Sequence, residues 1–144
     1  MTRIEFFFNV EDKTQKVADL AQRITAKGRQ LYIFAPDTIF ASQLDAYLWT
    51  YQASSFLPHG LDAEHDETVL IATEESKLQH DDVMINFATQ VPVFFSRFLR
   101  LIEIVGLDEV DKVAARKRFR LYREQGYDIK SFDAAGFAIQ SKQF

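Results

Sequence analysis

The stretch Arg3–Ala35, RIEFFFNVEDKTQKVADLAQRITAKGRQLYIFA, decides the fold class. Arg3–Phe8 (RIEFFF) is a compact apolar run, as expected of a buried strand. From Asp12 to Lys27 the period changes, with Val17, Leu20, Ala21 and Ile24 at i, i+3, i+4 and i+7 of an amphipathic helix. Gly28 stands where a helix ends in the left-handed conformation. Leu31–Ala35 (LYIFA) is a second strand, ended by Pro36. Strand, helix and strand at this spacing form a βαβ unit, with parallel strands and a right-handed crossover.

The pattern continues downstream. Asp37 is placed to cap a helix through Trp49, with Phe40, Leu44, Tyr47 and Leu48 on one face. Thr50–Glu67 reads as a loop containing Phe56, Pro58, His59 and Gly60. Val69–Thr73, Val83–Phe87 and Ile102–Val105 read as strands, and Phe94–Leu101 admits a helix. A last helix runs from about Asp108 to Gln125 and is closed by Gly126. The expectation is one α/β domain over residues 1–144, Rossmann-like, with a mostly parallel central sheet and helices on both faces.

Composition narrows the class. The 144 residues carry no cysteine, which excludes disulfide scaffolds, thiolate zinc sites and cysteine nucleophiles. The longest apolar stretch, Val91–Val105, is shorter than the ~20 residues of a membrane span and contains Arg97, Arg100 and Glu103. The N-terminus has no secretory pattern, so a cytoplasmic protein with no membrane partner is expected. A net charge of −4 argues against a protein that coats nucleic acid with its whole surface. Fourteen Phe, five Tyr and one Trp exceed what so small a core readily hides, which raises the expectation of a permanent partner.

Catalytic motifs are missing. The first strand–helix junction, FFFNVEDKT, has no glycine and two acids, and neither GxGxxG nor GxxxxGK[ST] occurs. No GxSxG elbow is present. His59-Gly-Leu-Asp-Ala-Glu-His65-Asp-Glu67 holds metal-capable side chains, but its spacing matches no compact zinc site. It reads more simply as a solvated acidic loop. The expectation is no catalytic residue, no metal and no cofactor.

The C-terminal third is basic. Between Lys112 and Lys130 seven cations face two acids, on a chain that is acidic elsewhere. Lys112, Arg116, Arg120 and Arg123 recur at +4, +4 and +3 on one helix face, with Val113, Phe119 and Tyr122 as neighbouring apolar surface. Arginine forks hold carboxylates, and aromatic rings pocket an apolar anchor. A short acidic peptide ending in a hydrophobic residue fits this pattern, and so does a solvated basic face offsetting a helix dipole.

Two segments carry a resemblance. LDAYLWTYQASSFLPHGL (Leu44–Leu61) resembles the Leu-Asp-x-x-Leu-Trp…Ser-Phe-x-Pro-His segment of the chi subunit of bacterial DNA polymerase III holoenzyme. AARKRFRLYREQGYDI (Ala114–Ile129) resembles the final helix of that family. The resemblance implies a non-enzymatic adaptor that pairs with the psi subunit as a heterodimer, reaches the clamp loader through psi, and binds the acidic C-terminal tail of single-stranded DNA-binding protein. By match to the family pattern, Arg116 is the main tail-binding arginine. Phe119 takes the place of a pocket tyrosine and Arg120 that of a lysine; Val105 and Lys112 fall at tail-contacting positions, and Arg123 joins the tail site from the basic helix face. Trp49, Phe56, Pro58 and His59 fall on the implied psi surface. Little or no direct DNA binding is expected. The residues by themselves also admit a small α/β enzyme that clamps an acidic or phosphorylated metabolite with its arginines, and such an enzyme requires a perturbed acid or base beside them.

Overall fold

A computed structural model describes residues 1–50, 59–61, 68–74, 81–134 and 137–139. The elements are β1 (Arg3–Val10), α1 (Lys13–Ala26), β2 (Leu31–Phe34), α2 (Thr38–Thr50), β3 (His59–Leu61), β4 (Val69–Ala72), β5 (Val83–Asn86), β6 (Arg100–Gly106), α3 (Glu109–Glu124), β7 (Ile129–Phe132) and β8 (Ala138–Ile139). They build one sheet in the order β3-β4-β2-β5-β6-β1-β7-β8. All of its neighbouring pairs are parallel except β7 with β8. The expected α/β class with a mostly parallel sheet is thereby met.

Capping sets the helix boundaries. The Asp12 carboxylate accepts the backbone N–H of Gln15 at 3.1 Å and starts α1. Asp37 accepts that of Phe40 at 2.7 Å and starts α2. Gly28 and Gly126, with φ of 77° and 86°, follow α1 and α3 in the left-handed conformation that residues with a Cβ resist. Asn9 also adopts positive φ, at 60°, which asparagine tolerates better than most residues. It lies in a bulge between Phe7 and Val10, beyond the regular pairing of β1 with β6.

Two cores flank the sheet. Val17, Leu20, Ala21 and Ile24 of α1 and Leu44 and Leu48 of α2 pack on Leu31, Ile33, Ile71 and Ile85. On the opposite face Ala115, Phe119 and Tyr122 of α3 join Phe95 and Phe98 over Phe6, Phe8, Tyr32 and Leu101. β4 and β5 are buried along their whole length, as strands covered on both faces must be. Each large side chain so buried stabilises the fold by roughly 1.5–3 kcal/mol.

Three readings of the sequence are corrected. The segment Thr50–Glu67 is not wholly loop, because His59–Leu61 pairs in parallel with Val69–Ile71. Three residues joined to the sheet edge by backbone bonds leave no hydrophobic period to detect. Phe94–Leu101 is not a helix; it holds only a 3-10 turn, Phe95–Arg97, before β6 begins at Arg100. Ile129–Phe132, given no strand from the sequence, lies beside β1. Among the described residues most aromatic side chains pack in or against the two cores. Phe6 stacks on Phe8 and meets Phe119 and Tyr122, while Phe95 meets Tyr122 and Tyr127. Among the described aromatics Phe137 stands out as 72% exposed.

Candidate functional site: an arginine-rimmed pocket on the last helix

α3 presents three kinds of surface. Its inner face is Ala115, Arg118, Phe119 and Tyr122, spaced three or four residues apart and buried. Asp108 opens the helix by accepting the N–H of Val110, and Asp111 accepts that of Gly106 at 2.7 Å. Asp108 is the cap, while Asp111 ties the first turn to the end of β6 and also pairs with Lys13 at 3.1 Å.

Along one flank Arg116, Arg120 and Arg123 surround a pocket of about 240 Å³ whose apolar floor is Phe8 and Phe119. Both rings are nearly covered by protein, at 6% and 4% exposure, because Phe6 supports each of them. The Arg123 guanidinium lies 5.7 Å from the Phe119 ring centroid, a cation–π arrangement that steadies the rim. Arg116 approaches Glu109 at 3.6 Å, with both side chains at least half exposed. Such a pair is worth little in water and leaves the arginine exchangeable.

Of the residues expected at this site, Arg116, Phe119, Arg120 and Arg123 converge. Lys112 lies one turn upstream of Arg116 on the same flank, half-buried and outside the pocket lining. Val105 does not reach the surface: it is fully buried in the core beneath α3. Strand alternation explains this, since Leu101, Glu103 and Val105 of β6 all point toward α3. Two supposed neighbours of the arginine face lie elsewhere. Tyr122 is buried, and Val113 lines a separate groove with Leu121 and Val91.

Of the expected psi surface, Trp49 belongs to α2 and His59 opens β3. Phe56 and Pro58 lie outside the described residues. Most of the His59–Glu67 cluster also lies outside them, and among the described residues no three metal-capable side chains converge. Among those residues, too, no helix is long and apolar enough to cross a membrane.

A buried polar cluster under α3 escaped the sequence reading. Arg118 Nε donates to Glu103 Oε1 at 3.1 Å, while Asn86 Nδ2 and the Tyr122 hydroxyl donate to Oε2 at 3.0 and 2.6 Å. Arg118 Nη1 also donates to the Thr89 carbonyl at 2.9 Å. Burial pushes the Glu103 carboxyl above its ordinary range, against the opposing pull of Arg118 and the hydrogen bonds. Burial and the adjoining carboxylate push the Tyr122 phenol up as well. The available signals were a lone glutamate in an apolar strand and an arginine on the inner helical period.

The cluster borders a cleft of about 520 Å³ at the carboxyl ends of β1, β5 and β6, which Asn86 and Arg118 help to line. Glu103 itself has no solvent-exposed surface.

Comparison with known proteins fixes the family. A profile described as DNA polymerase III chi subunit, HolC, matches residues 1–130. The chain belongs to the DNA polymerase III chi subunit family. It is 33% identical over 135 residues to the DNA polymerase III subunit chi of Pseudomonas aeruginosa, covering 90% of this chain and 95% of that one. The Haemophilus influenzae subunit chi is 27% identical, over 88% of this chain and 94% of the relative. That of Escherichia coli is 28% identical, over 81% and 82%. The family places the chain among the accessory subunits of a replicative polymerase, as the two sequence motifs implied.

Proposed function

We propose that the chain is a non-catalytic adaptor that binds the acidic C-terminal tail of single-stranded DNA-binding protein through α3 and the psi subunit through the end of α2 and the segment after it. Through psi it reaches the clamp loader. The pocket rimmed by Arg116, Arg120 and Arg123 over Phe8 and Phe119 carries the reading. Its arginines suit carboxylates, and its floor suits a terminal aromatic residue. An apolar cavity of about 150 Å³ holds a benzene, so the pocket has room for one phenyl ring.

The tail site works by two complementary contacts. Exposed guanidinium groups attract the acidic stretch and orient it, and salt screens that attraction. The terminal ring then leaves water against Phe8 and Phe119 and resists dissociation. One tail binds weakly. Several tails on one oligomer raise the effective concentration and give avidity. Trp49, Phe56, Pro58 and His59 form the psi contact, with Trp49 and Phe56 as apolar anchors. The acid with the raised pKa, Glu103, is enclosed by its own partners and does not line the arginine pocket, which favours an adaptor over an enzyme at this site.

Titration with a fluorescent acidic peptide ending in Pro-Phe, beside the same peptide lacking the final Phe, tests the tail site. Saturable binding that needs the terminal Phe is expected. Equal binding of both peptides, or of neither at low salt, overturns it. Copurification with psi that Trp49→Ala does not weaken overturns the psi assignment.

A further inference from the structure

A second basic cleft lies away from the α3 pocket, across the sheet. It occupies about 520 Å³ where the last turns of α1 meet the amino ends of β1, β5 and β6. Two acids line it, and each is occupied. Glu5 accepts Arg100 at 2.7 Å, and Asp82 accepts both Arg29 and the backbone N–H of Gln30 at 3.2 Å. Arg3, Arg23 and Lys27 add three further cations to the lining, all exposed. The carboxyl end of α1 presents about half a negative charge, which three cations exceed. On a chain of charge −4 this is a local positive excess facing solvent.

The wall of the cleft distinguishes among anions. Two aromatic side chains line it, Phe7 and Phe132, and they stack on each other at 5.1 Å between ring centroids, while the Lys16 ammonium sits 4.6 Å from the Phe7 centroid. Their mutual stacking and the ammonium over Phe7 leave these rings already engaged. A single-stranded nucleic acid needs free rings on which to stack its bases. The cleft instead offers cations above an apolar wall that includes Leu99, 59% exposed. Side-chain carboxylates interleaved with small apolar residues match that surface.

We propose that this cleft is a second acceptor for an acidic peptide segment, separate from the α3 pocket, so that one chain engages two acidic segments at once. The inference rests on the adaptor reading for the source of the peptide and on its own residues for the site. Two acceptors on opposite sides of the sheet would let one subunit bridge two tails of an oligomeric partner, which multiplies avidity without a tighter single contact.

Calorimetric titration of the whole chain at low salt tests this, using the acidic peptide ending in Pro-Phe. The proteins are wild type, Arg116→Ala/Arg120→Ala and Arg23→Gln/Lys27→Gln. The glutamine substitutions remove charge at exposed positions in the last turn of α1 and at its C-cap without adding like charge to the helix end, and circular dichroism checks the fold. Two peptides per wild-type chain are expected, with one retained by each double variant. Binding in the emptied cleft should fall by about tenfold or more, as for the loss of two cooperating cations. One peptide per wild-type chain, lost with Arg116 and Arg120 and unaffected by Arg23 and Lys27, overturns the second site and leaves the adaptor reading intact. Loss with Arg23 and Lys27 alone keeps this cleft and overturns the α3 site. A parallel titration with oligothymidylate separates the polyanions: if the Arg23 and Lys27 substitutions abolish oligonucleotide binding and leave peptide binding unchanged, the peptide proposal fails.

Discussion

Arg116 and Arg118 stand two residues apart on α3 and have opposite roles. Arg118 is 4% exposed and held by Glu103 and the Thr89 carbonyl. Arg116 faces water beside Glu109, on the rim of the aromatic-floored pocket. A two-residue step turns the side chain by about 200° around the helix. One arginine therefore completes the interior, and the other is available to a ligand. Counting cations along the sequence assigns both to one basic block, but only the outward set contributes a field that a partner can reach.

The largest expected effect breaks the inner member of this pair. Arg118→Ala leaves the Glu103 charge buried without its cation and should cost about 3–5 kcal/mol in urea unfolding. The paired replacement Glu103→Leu/Arg118→Met should recover most of that loss, because it removes both charges and keeps apolar volume. If the single variant unfolds like wild type, the cluster does not support the fold as described.

The outer member should behave in the reverse way. Arg116→Ala should change stability by no more than about 0.5 kcal/mol, as surface substitutions do. Affinity for the acidic peptide should nevertheless fall by about tenfold, the loss expected for one hydrogen bond to a charged group. Raising salt should weaken wild-type binding and have less effect on the variant. Unchanged affinity in both tests would place the ligand elsewhere.

Phe119→Leu sharpens the boundary between the two regions, since Phe119 belongs to the core and to the pocket floor. A hydrophobic exchange of similar size should cost about 1 kcal/mol of stability. The preference for a peptide with a terminal Phe should shrink at the same time, read as the ratio of the two peptide affinities.

The smallest effect lies in α1, remote from the α3 pocket. Asp12→Ala should cost about 1 kcal/mol by removing an N-cap. The Thr14 hydroxyl, and after it the Gln15 backbone N–H, hold the Asp12 carboxyl below its ordinary value of 3.8. Its stabilisation is therefore complete above that value and is lost as pH falls through the lower folded value. The variant should lack this part of the acid limb in unfolding followed against pH, with peptide affinity unchanged. A wild-type acid limb in the variant would show that the cap carries no charge-dependent stability.

Much of the frame was legible because it depends on neighbours in the chain. The period of Val17–Ile24, the cap at Asp37, and the left-handed glycines at positions 28 and 126 are local steric and hydrogen-bonding matters. The arginine flank was legible too, since helical geometry carries 112, 116, 120 and 123 to one side. Other assignments depended on contacts absent from the local pattern. β3 has three residues and no period, and it is a strand because β4 lies beside it. Val105 resembled a ligand contact, yet strand alternation turns it into the core. Val113 shares the last helix but faces a different groove.

The sequence by itself determined the alternation of strands and helices, the helix ends, the acidic body with its basic last helix, and the family. These follow from backbone sterics, from hydrophobic period and from residues adjacent in the chain. Only the tertiary structure decided which arginine is buried, which phenylalanines floor the pocket, and that a second set of cations collects where α1 meets the strands' amino ends. Glu103 meets Arg118 because α3 is laid across β6, and Phe8 and Phe119 floor one pocket from more than a hundred residues apart. The energy of a charge or a ring is set by what desolvates it, and the packing of distant segments supplies that environment.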